Sequence, residues 1–178
     1  MRYALFISNN EDYIDYLRKN AKQAQLCCIV SNGIEIKADA PVFQLNSQKH
    51  SPEIEKKMIS FLEKNSAEWI VLANYCYLVK QDLIDKFRNR IISVHPSLLP
   101  LYPGKIRKVY EEVLNRGSKL TGCTVHFVDE GVDTGRILVQ EPVKILENDT
   151  VMSFHKRMIE AEQKALAGAL DLIAKEKV

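Results

Sequence analysis

Short apolar runs of strand length alternate with stretches whose apolar residues recur at helical spacing, and this alternation restricts the fold more than any other feature. "RYALFIS" (2–8) and "LCCIV" (26–30) flank "EDYIDYLRKNAKQA", which carries Tyr13, Tyr16, Leu17, Ala21 and Ala24 on one helical face. Strand, helix and strand in that order make a βαβ unit with parallel strands. A loop with "SNG" and a brief "PVFQL" come next, and "SPEIEKKMISFLEKN" then opens on a serine cap with proline in the first helical turn. "WIVLA" (69–73), a short helix near "KQDLIDKF" and "RIISV" (90–94) complete this half. The two apolar runs are hydrophobic on both faces, as central parallel strands are.

Beyond a turn built on prolines the pattern changes. "KIRKVYEEVLNRG" predicts a helix ended by Gly117, and "TGCTVHFVDEGVDTGRILVQEPVKI" predicts two alternating strands around a glycine-rich loop. "DTVMSFHKRMIEAEQKALAGALDLIAKE" predicts a long amphipathic helix. The expected fold is α/β: a Rossmann-like open, mostly parallel sheet flanked by helices, with an antiparallel addition near the C-terminal end. A chain of 178 residues suits a single domain over 1–178 with a real core. In such sheets ligands bind beyond the carboxyl ends of the strands, and His95 is expected just past the end of one.

Charge and cysteine usage narrow the function classes. A formal charge of +2 leaves no electrostatic footprint for nucleic acid. Met1 leads directly into "RYALFIS", too short an apolar run for a signal peptide or a membrane span, so a cytoplasmic protein without membrane association is expected. Cys27, Cys28, Cys76 and Cys123 show neither a CxxC nor a Cys/His metal spacing and are read as reduced core thiols, with no metal site.

The chemistry-bearing candidates are few. His95 follows the "RIISV" strand, with Ser93 two residues before it, and Asp133 lies in "DEGVDTG" (129–135) between two strands of the same sheet. A histidine with an aspartate in reach shuttles protons and stabilises developing negative charge near neutral pH. His50, His126 and His155 are read as hydrogen-bonded structural residues.

"HPSLLPLYPG" followed, about a helix later, by "TGCTVHFVDEGVDTGRILVQ" resembles the folate-dependent formyltransferase family, most closely its phosphoribosylglycinamide formyltransferase branch. The strong match covers residues 90–145, with similar order and spacing of elements over nearly the whole chain. Pro103 and Gly104 also look like the glycinamide branch. The resemblance implies an amine attacking the formyl carbon of 10-formyltetrahydrofolate, a tetrahedral oxyanion, and a proton passing from the amine toward the departing folate nitrogen. It implies His95 as the oxyanion stabiliser and Asp133 as its orienting and proton-relaying partner. It places Asp129, Glu130, Gly131, Val132 and Asp133, with backbone near Leu78 and Val79, around the pterin ring. The acceptor it implies is a small-molecule amine such as glycinamide ribonucleotide, and the chain a monomer or homodimer.

The sequence departs from the family at definite positions. Ser93 stands where the family carries a catalytic asparagine. "SNNEDY" replaces a glycine-rich loop that holds the substrate phosphate, putting Glu11 and Asp12 at a helix start where an anion would be bound. "KIRK" (105–108) and Arg136 are the cations that could supply charge instead, and Ile106 and Arg107 replace a histidine-containing segment. Tyr77 takes a basic position, and Tyr75 and Tyr77 are candidates for the folate cleft. Three functions follow: formyl transfer of the glycinamide ribonucleotide type, slowed or with another amine; folate binding without transfer; and formyl transfer to a nucleotide-linked amino sugar.

Overall fold

The computed structural model describes residues 1–33, 35–45, 51–104 and 109–175. His50 and the "KIRK" segment, with Ile106 and Arg107, lie outside the described residues. Seven strands form one sheet in the order β3-β2-β1-β4-β5-β6-β7. They are β1 (Arg2–Ile7), β2 (Gln25–Asn32), β3 (Val42–Leu45), β4 (Trp69–Leu72), β5 (Ile91–His95), β6 (Leu120–Phe127) and β7 (Ile137–Lys144). The first five pair in parallel, whereas β6 runs antiparallel to β5 and β7 antiparallel to β6. The expected fold class is what the chain adopts. His95 is the last residue of β5 rather than the first beyond it.

Strand alternation divides the core into two layers. Tyr3, Leu5 and Ile7 face α1 (Asp12–Asn20), α4 (Val109–Asn115) and α5 (Val151–Ala174), while Ala4 and Phe6 face α2 (Pro52–Lys64) and α3 (Gln81–Lys86). The helix read from residues 11 to 24 ends sooner, at Asn20, whose side-chain amide donates to the Tyr16 carbonyl. Helix α2 starts where its signals put it, with the Ser51 hydroxyl accepting from the Ile54 amide at 3.3 Å. Three cysteines are buried as expected, but Cys76 is exposed, because it lies in the loop after β4 and not in a strand. Among the described residues no helix is long and apolar enough to cross a membrane.

Helix α5 fastens the antiparallel end of the sheet. A capping box joins Thr150 and Ser153, and Arg157 reaches back to the Asp149 carboxylate just before the helix. The buried face repeats at helical spacing through Phe154, Met158, Ala161, Ala165 and Ala169, so small residues let the helix lie close over β6 and β7. Phe154 is fully buried, with the ring of Tyr110 edge-on at 5.7 Å. Phe154→Ala is expected to cost about 3–5 kcal/mol, read as a lower urea midpoint. A loss under about 1 kcal/mol would mean that α5 is not a principal core element.

Candidate functional site

The strand order reverses between β1 and β4, which opens a crevice at their carboxyl ends. The loops leaving the two strands are tied across it. The Asn74 amide donates to Asn9 Oδ1 at 2.6 Å, and the Cys76 backbone N–H donates to Ser8 Oγ at 3.0 Å. Asn74 takes a φ of 50°, a left-handed conformation that asparagine tolerates better than most residues. The crevice holds a cavity of about 410 Å³, lined among others by Asn10, Ser93, Tyr110, His155 and Glu162. A larger open groove of about 820 Å³ near Glu68, Trp69 and Arg136 contains neither His95 nor Asp133. His95 and Asp133 do not line the smaller one either, but Ser93, Val94 and Pro96, which flank His95 in the chain, do.

Strand pairing assembles a polar patch beside this cavity. Ser93 stands opposite His126, and His95 opposite Thr124, in the antiparallel β5–β6 ladder. Two-residue spacing puts all four side chains on one face. Asp133 enters from the β6–β7 loop with a φ of 55°. Its Oδ2 lies 3.2 Å from His95 Nδ1 and accepts the Gly104 N–H at 2.7 Å, while its Oδ1 lies 3.5 Å from His126 Nε2. Neither of these ring nitrogens makes a formed hydrogen bond, so both contacts with the carboxylate are electrostatic. His95 is 1% exposed and His126 2%.

Each ring is fixed by its other nitrogen. His95 Nε2–H donates to the Tyr102 carbonyl at 2.9 Å, and His126 Nδ1–H donates to the Phe127 carbonyl at 2.9 Å. Burial lowers the His95 pKa, and the opposing pull of Asp133 and the Tyr102 carbonyl does not restore it, so the imidazole is neutral at pH 7. Burial works to raise the Asp133 carboxyl, but His126, the Gly104 amide and His95 outweigh it and hold the group below its ordinary value. Asp133 is therefore a carboxylate facing a neutral His95 whose protonation is opposed by burial and favoured by that carboxylate.

The proline turn after β5 is held by a buried network. Thr124 Oγ1 accepts from the Leu99 N–H at 2.9 Å and donates to the Ser97 carbonyl at 2.7 Å. The Gln140 amide donates to Thr124 Oγ1 and to the Leu99 carbonyl, both at 3.1 Å. These bonds set the turn that presents the Tyr102 carbonyl to His95. Gly104 has a φ of 69°, where a side chain would be strained, and its N–H thereby reaches Asp133.

The loop from Asp129 to Gly135 is ordered from within. Asp129 Oδ1 accepts from the Gly131 N–H at 3.1 Å and the Thr134 hydroxyl at 2.6 Å. A Cβ on Gly135 would meet the Phe127 carbonyl oxygen at 1.8 Å, so only glycine lets the loop close this tightly. Gln81 Nε2 approaches Glu130 Oε1 to 3.5 Å, which brings the segment after Leu78 and Val79 beside this loop. Leu78 is 77% exposed and Val132 51%, apolar surface suited to a flat heteroaromatic ring. The residues expected around a pterin therefore fit one. Tyr75 is buried edge-on against Phe6 and also contributes to the lining of the 410 Å³ cavity.

At the other end of the cavity, Glu162 of α5 is buried with both carboxylate oxygens occupied. The Tyr13 hydroxyl donates to Oε2, and the Tyr110 hydroxyl donates to Oε1 at 3.2 Å. The first turn of α1 is acidic, and the Asp12 N–H already donates to Asn10 Oδ1 at 2.9 Å. Among the described residues no group of three or more His, Cys, Asp or Glu side chains is placed to hold a metal ion.

Comparison with known proteins gives the class of protein to which this site belongs. The family model described as formyl transferase matches residues 1–170, and the chain belongs to that family. The co-substrate of the family is 10-formyltetrahydrofolate. Particular relatives narrow the likeness. The chain is 34% identical over 151 residues to the chloroplastic phosphoribosylglycinamide formyltransferase of Arabidopsis thaliana, covering 83% of this chain and 51% of that protein. It is 32% identical over 176 residues to the trifunctional purine biosynthetic protein adenosine-3 of Homo sapiens, covering 94% of this chain and 17% of that protein. The chain thus spans about a sixth of that relative's length and half of the plant protein's. Among solved structures, phosphoribosylglycinamide formyltransferase from Bacillus halodurans superposes with a TM-score of 0.88 at 27% identity, covering 100% of this chain and 97% of that one. The corresponding enzyme from Anaplasma phagocytophilum gives 0.89 at 26%, covering 99% and 88%.

The structure brings His95, Ser93 and Asp133 together as the sequence reading expects, and adds His126, which that reading left as structural. The missed signal was register: His126 is directly opposite Ser93 once β5 and β6 pair antiparallel. Glu162 was hidden in a helix whose polar positions are mostly solvated. His155, also read as structural, is exposed at the cavity and packs against Tyr110 at 5.1 Å between ring centres.

Burial pushes the Glu162 carboxyl up to about 7 against the two tyrosine hydroxyls, which act to lower it. Between its ordinary value of 4.5 and about 7 the folded chain holds a proton that the unfolded chain has released. The stability from this group is therefore full at low pH and falls as pH rises through the window. In Glu162→Gln that fall disappears. The stability of the variant relative to the parent should rise between pH 5 and 7.5, by at most about 1.4 kcal/mol per pH unit, in urea titrations at each pH. A difference independent of pH would contradict a protonated Glu162.

Proposed function

We propose that the chain transfers a formyl group from 10-formyltetrahydrofolate to a primary amine, the reaction type named for its phosphoribosylglycinamide formyltransferase relatives. The observation that carries this reading is the Asp133 carboxylate set between two buried imidazoles beside a cavity at the sheet's switch point. The folate supplies an activated formyl carbon and an amine leaving group when bound.

The chain's own groups supply the rest. His95 is neutral with its proton on Nε2, held by the Tyr102 carbonyl, so Nδ1 is the acceptor that takes up the proton released by the attacking amine and only then donates toward the negative charge on the formyl oxygen. Asp133 stabilises the ring as it takes on positive charge, and His126 and the Gly104 amide keep the carboxylate ionised and in place. As the new C–N bond forms, the single proton leaving the attacking amine passes through Asp133 to His95 Nδ1 and from there to the departing folate nitrogen as its bond to the formyl carbon breaks, which returns the ring to neutrality. The loop from Asp129 to Asp133, with Leu78 and Val79, is the pterin enclosure in this reading.

Ser93 sets the rate. Its hydroxyl sits on a shorter arm than an amide would, and loss of one donor to an oxyanion typically lowers kcat by about 10²–10³. Ser93→Asn is expected to raise formyl transfer toward that factor. His95→Ala and Asp133→Asn should each lower it by about 10²–10⁴, followed by the appearance of tetrahydrofolate. A parent chain that binds the donor but transfers nothing, with no gain in Ser93→Asn, would sink the transferase reading in favour of folate binding alone.

A further inference from the structure

Glu55, in the first turn of α2, is a buried acid that the formyl-transfer reading leaves without a role. It is 2% exposed, and among the described residues neither of its carboxylate oxygens makes a formed hydrogen bond. Burial raises its pKa, Lys80 pulls the other way, and Asp82 adds to the rise. A carboxylate withdrawn from water without hydrogen bonds is expensive, so an unsatisfied one in a native core calls for a reason. Its charged partner is Lys80, whose Nζ lies 3.7 Å from Oε2 and whose side chain is 43% exposed.

The place of Lys80 in the chain gives this pair a consequence for the site. Lys80 caps the start of α3 and directly follows Leu78 and Val79, the backbone assigned to the pterin enclosure. Side chains alternate along the stretch: Tyr77 and Val79 pack against the core layer that α2 and α3 cover, and Leu78 is 77% exposed. In front, the stretch reaches the loop from Asp129 to Asp133, where Gln81 Nε2 comes within 3.5 Å of Glu130 Oε1. Behind, Lys80 fastens it to α2 through a charge that is buried and therefore weakly screened. A second pair between α2 and α3, Lys86 with Glu63, is about half exposed on both sides and lies at the other end of α3, where solvent screens it. We propose that Glu55 is a positioning residue for the formyl donor: through Lys80 it holds the Leu78–Val79 backbone in place opposite the Asp129–Asp133 loop. The inference rests on the formyl-transfer reading and adds to it a residue that acts on the donor without touching it.

The test is a calorimetric titration of the full chain with a stable analogue of 10-formyltetrahydrofolate at about pH 8, where both members of the pair carry charge. Glu55→Gln keeps the shape and removes the charge. It should weaken binding by about three- to tenfold, Lys80→Gln by a similar factor, and the double variant by no more than either alone. Glu55→Asp, which retains the charge, should recover part of the loss, and Glu63→Gln should bind as the parent does. Lys80→Gln sits at a half-exposed position and carries the test if Glu55→Gln does not fold. An analogue without the glutamyl tail separates positioning from a direct contact of Lys80 with the donor carboxylates, because positioning predicts the same factor for both analogues. Unchanged binding in either single variant, additive losses in the double variant, or a Lys80→Gln loss confined to the tailed analogue would overturn the inference. An equal loss in Glu63→Gln would also overturn it, by making a general loosening of α2 the cause. Failure of the parent chain to bind the analogue would remove the formyl-transfer reading and the inference together, and that case is visible before any variant is compared.

Discussion

The site depends on one carboxylate holding its charge between two buried rings. Asp133 contacts His95 and His126 at 3.2 and 3.5 Å, and the Gly104 N–H at 2.7 Å keeps it ionised where burial alone would favour protonation. The groups come from different pieces of backbone: the ends of β5 and β6, the proline turn and the β6–β7 loop. Displacing any one of them leaves a buried charge or a buried ring short of its partner, which is costly in a low-dielectric interior. The left-handed conformations at Tyr102 and Asp133, with φ of 56° and 55°, show that the chain accepts backbone strain to bring those pieces together.

The surrounding fold explains how that arrangement stays rigid. Parallel strands deliver β5 to the crevice, and the two antiparallel strands add a second wall from which His126 and the Asp133 loop project. Helix α5 closes that wall, and the same helix carries Glu162 into the cavity. Two chemically different halves result. One presents exposed Leu78 and Val132 beside the Asp133 loop, and the other is the cavity lined by Tyr13, Tyr110 and Glu162.

Much of this was legible in the chain itself. The two periods of hydrophobicity marked the strands and helices, and the motifs around His95 and Asp133 marked the site, because strand ends and glycine-bearing loops leave local signals. Three things were not legible. His126 joined the site through strand register, a non-local pairing without a local signature. Glu162 joined through the docking of α5 some 149 residues from Tyr13, so its burial followed from tertiary packing alone. Cys76 was misread as a core thiol because its apolar neighbours belong to a loop folded over the switch point and not to a strand.

The most direct measurement is a calorimetric titration of the full chain with a stable analogue of 10-formyltetrahydrofolate, repeated with Asp133→Ala. We expect saturable binding to the parent chain and at least a tenfold loss in the variant, since the residue shapes the loop as well as the charge of the donor half. No binding at millimolar analogue, or binding unchanged without Asp133, would contradict the central claim that this carboxylate organises a folate-dependent formyl-transfer site.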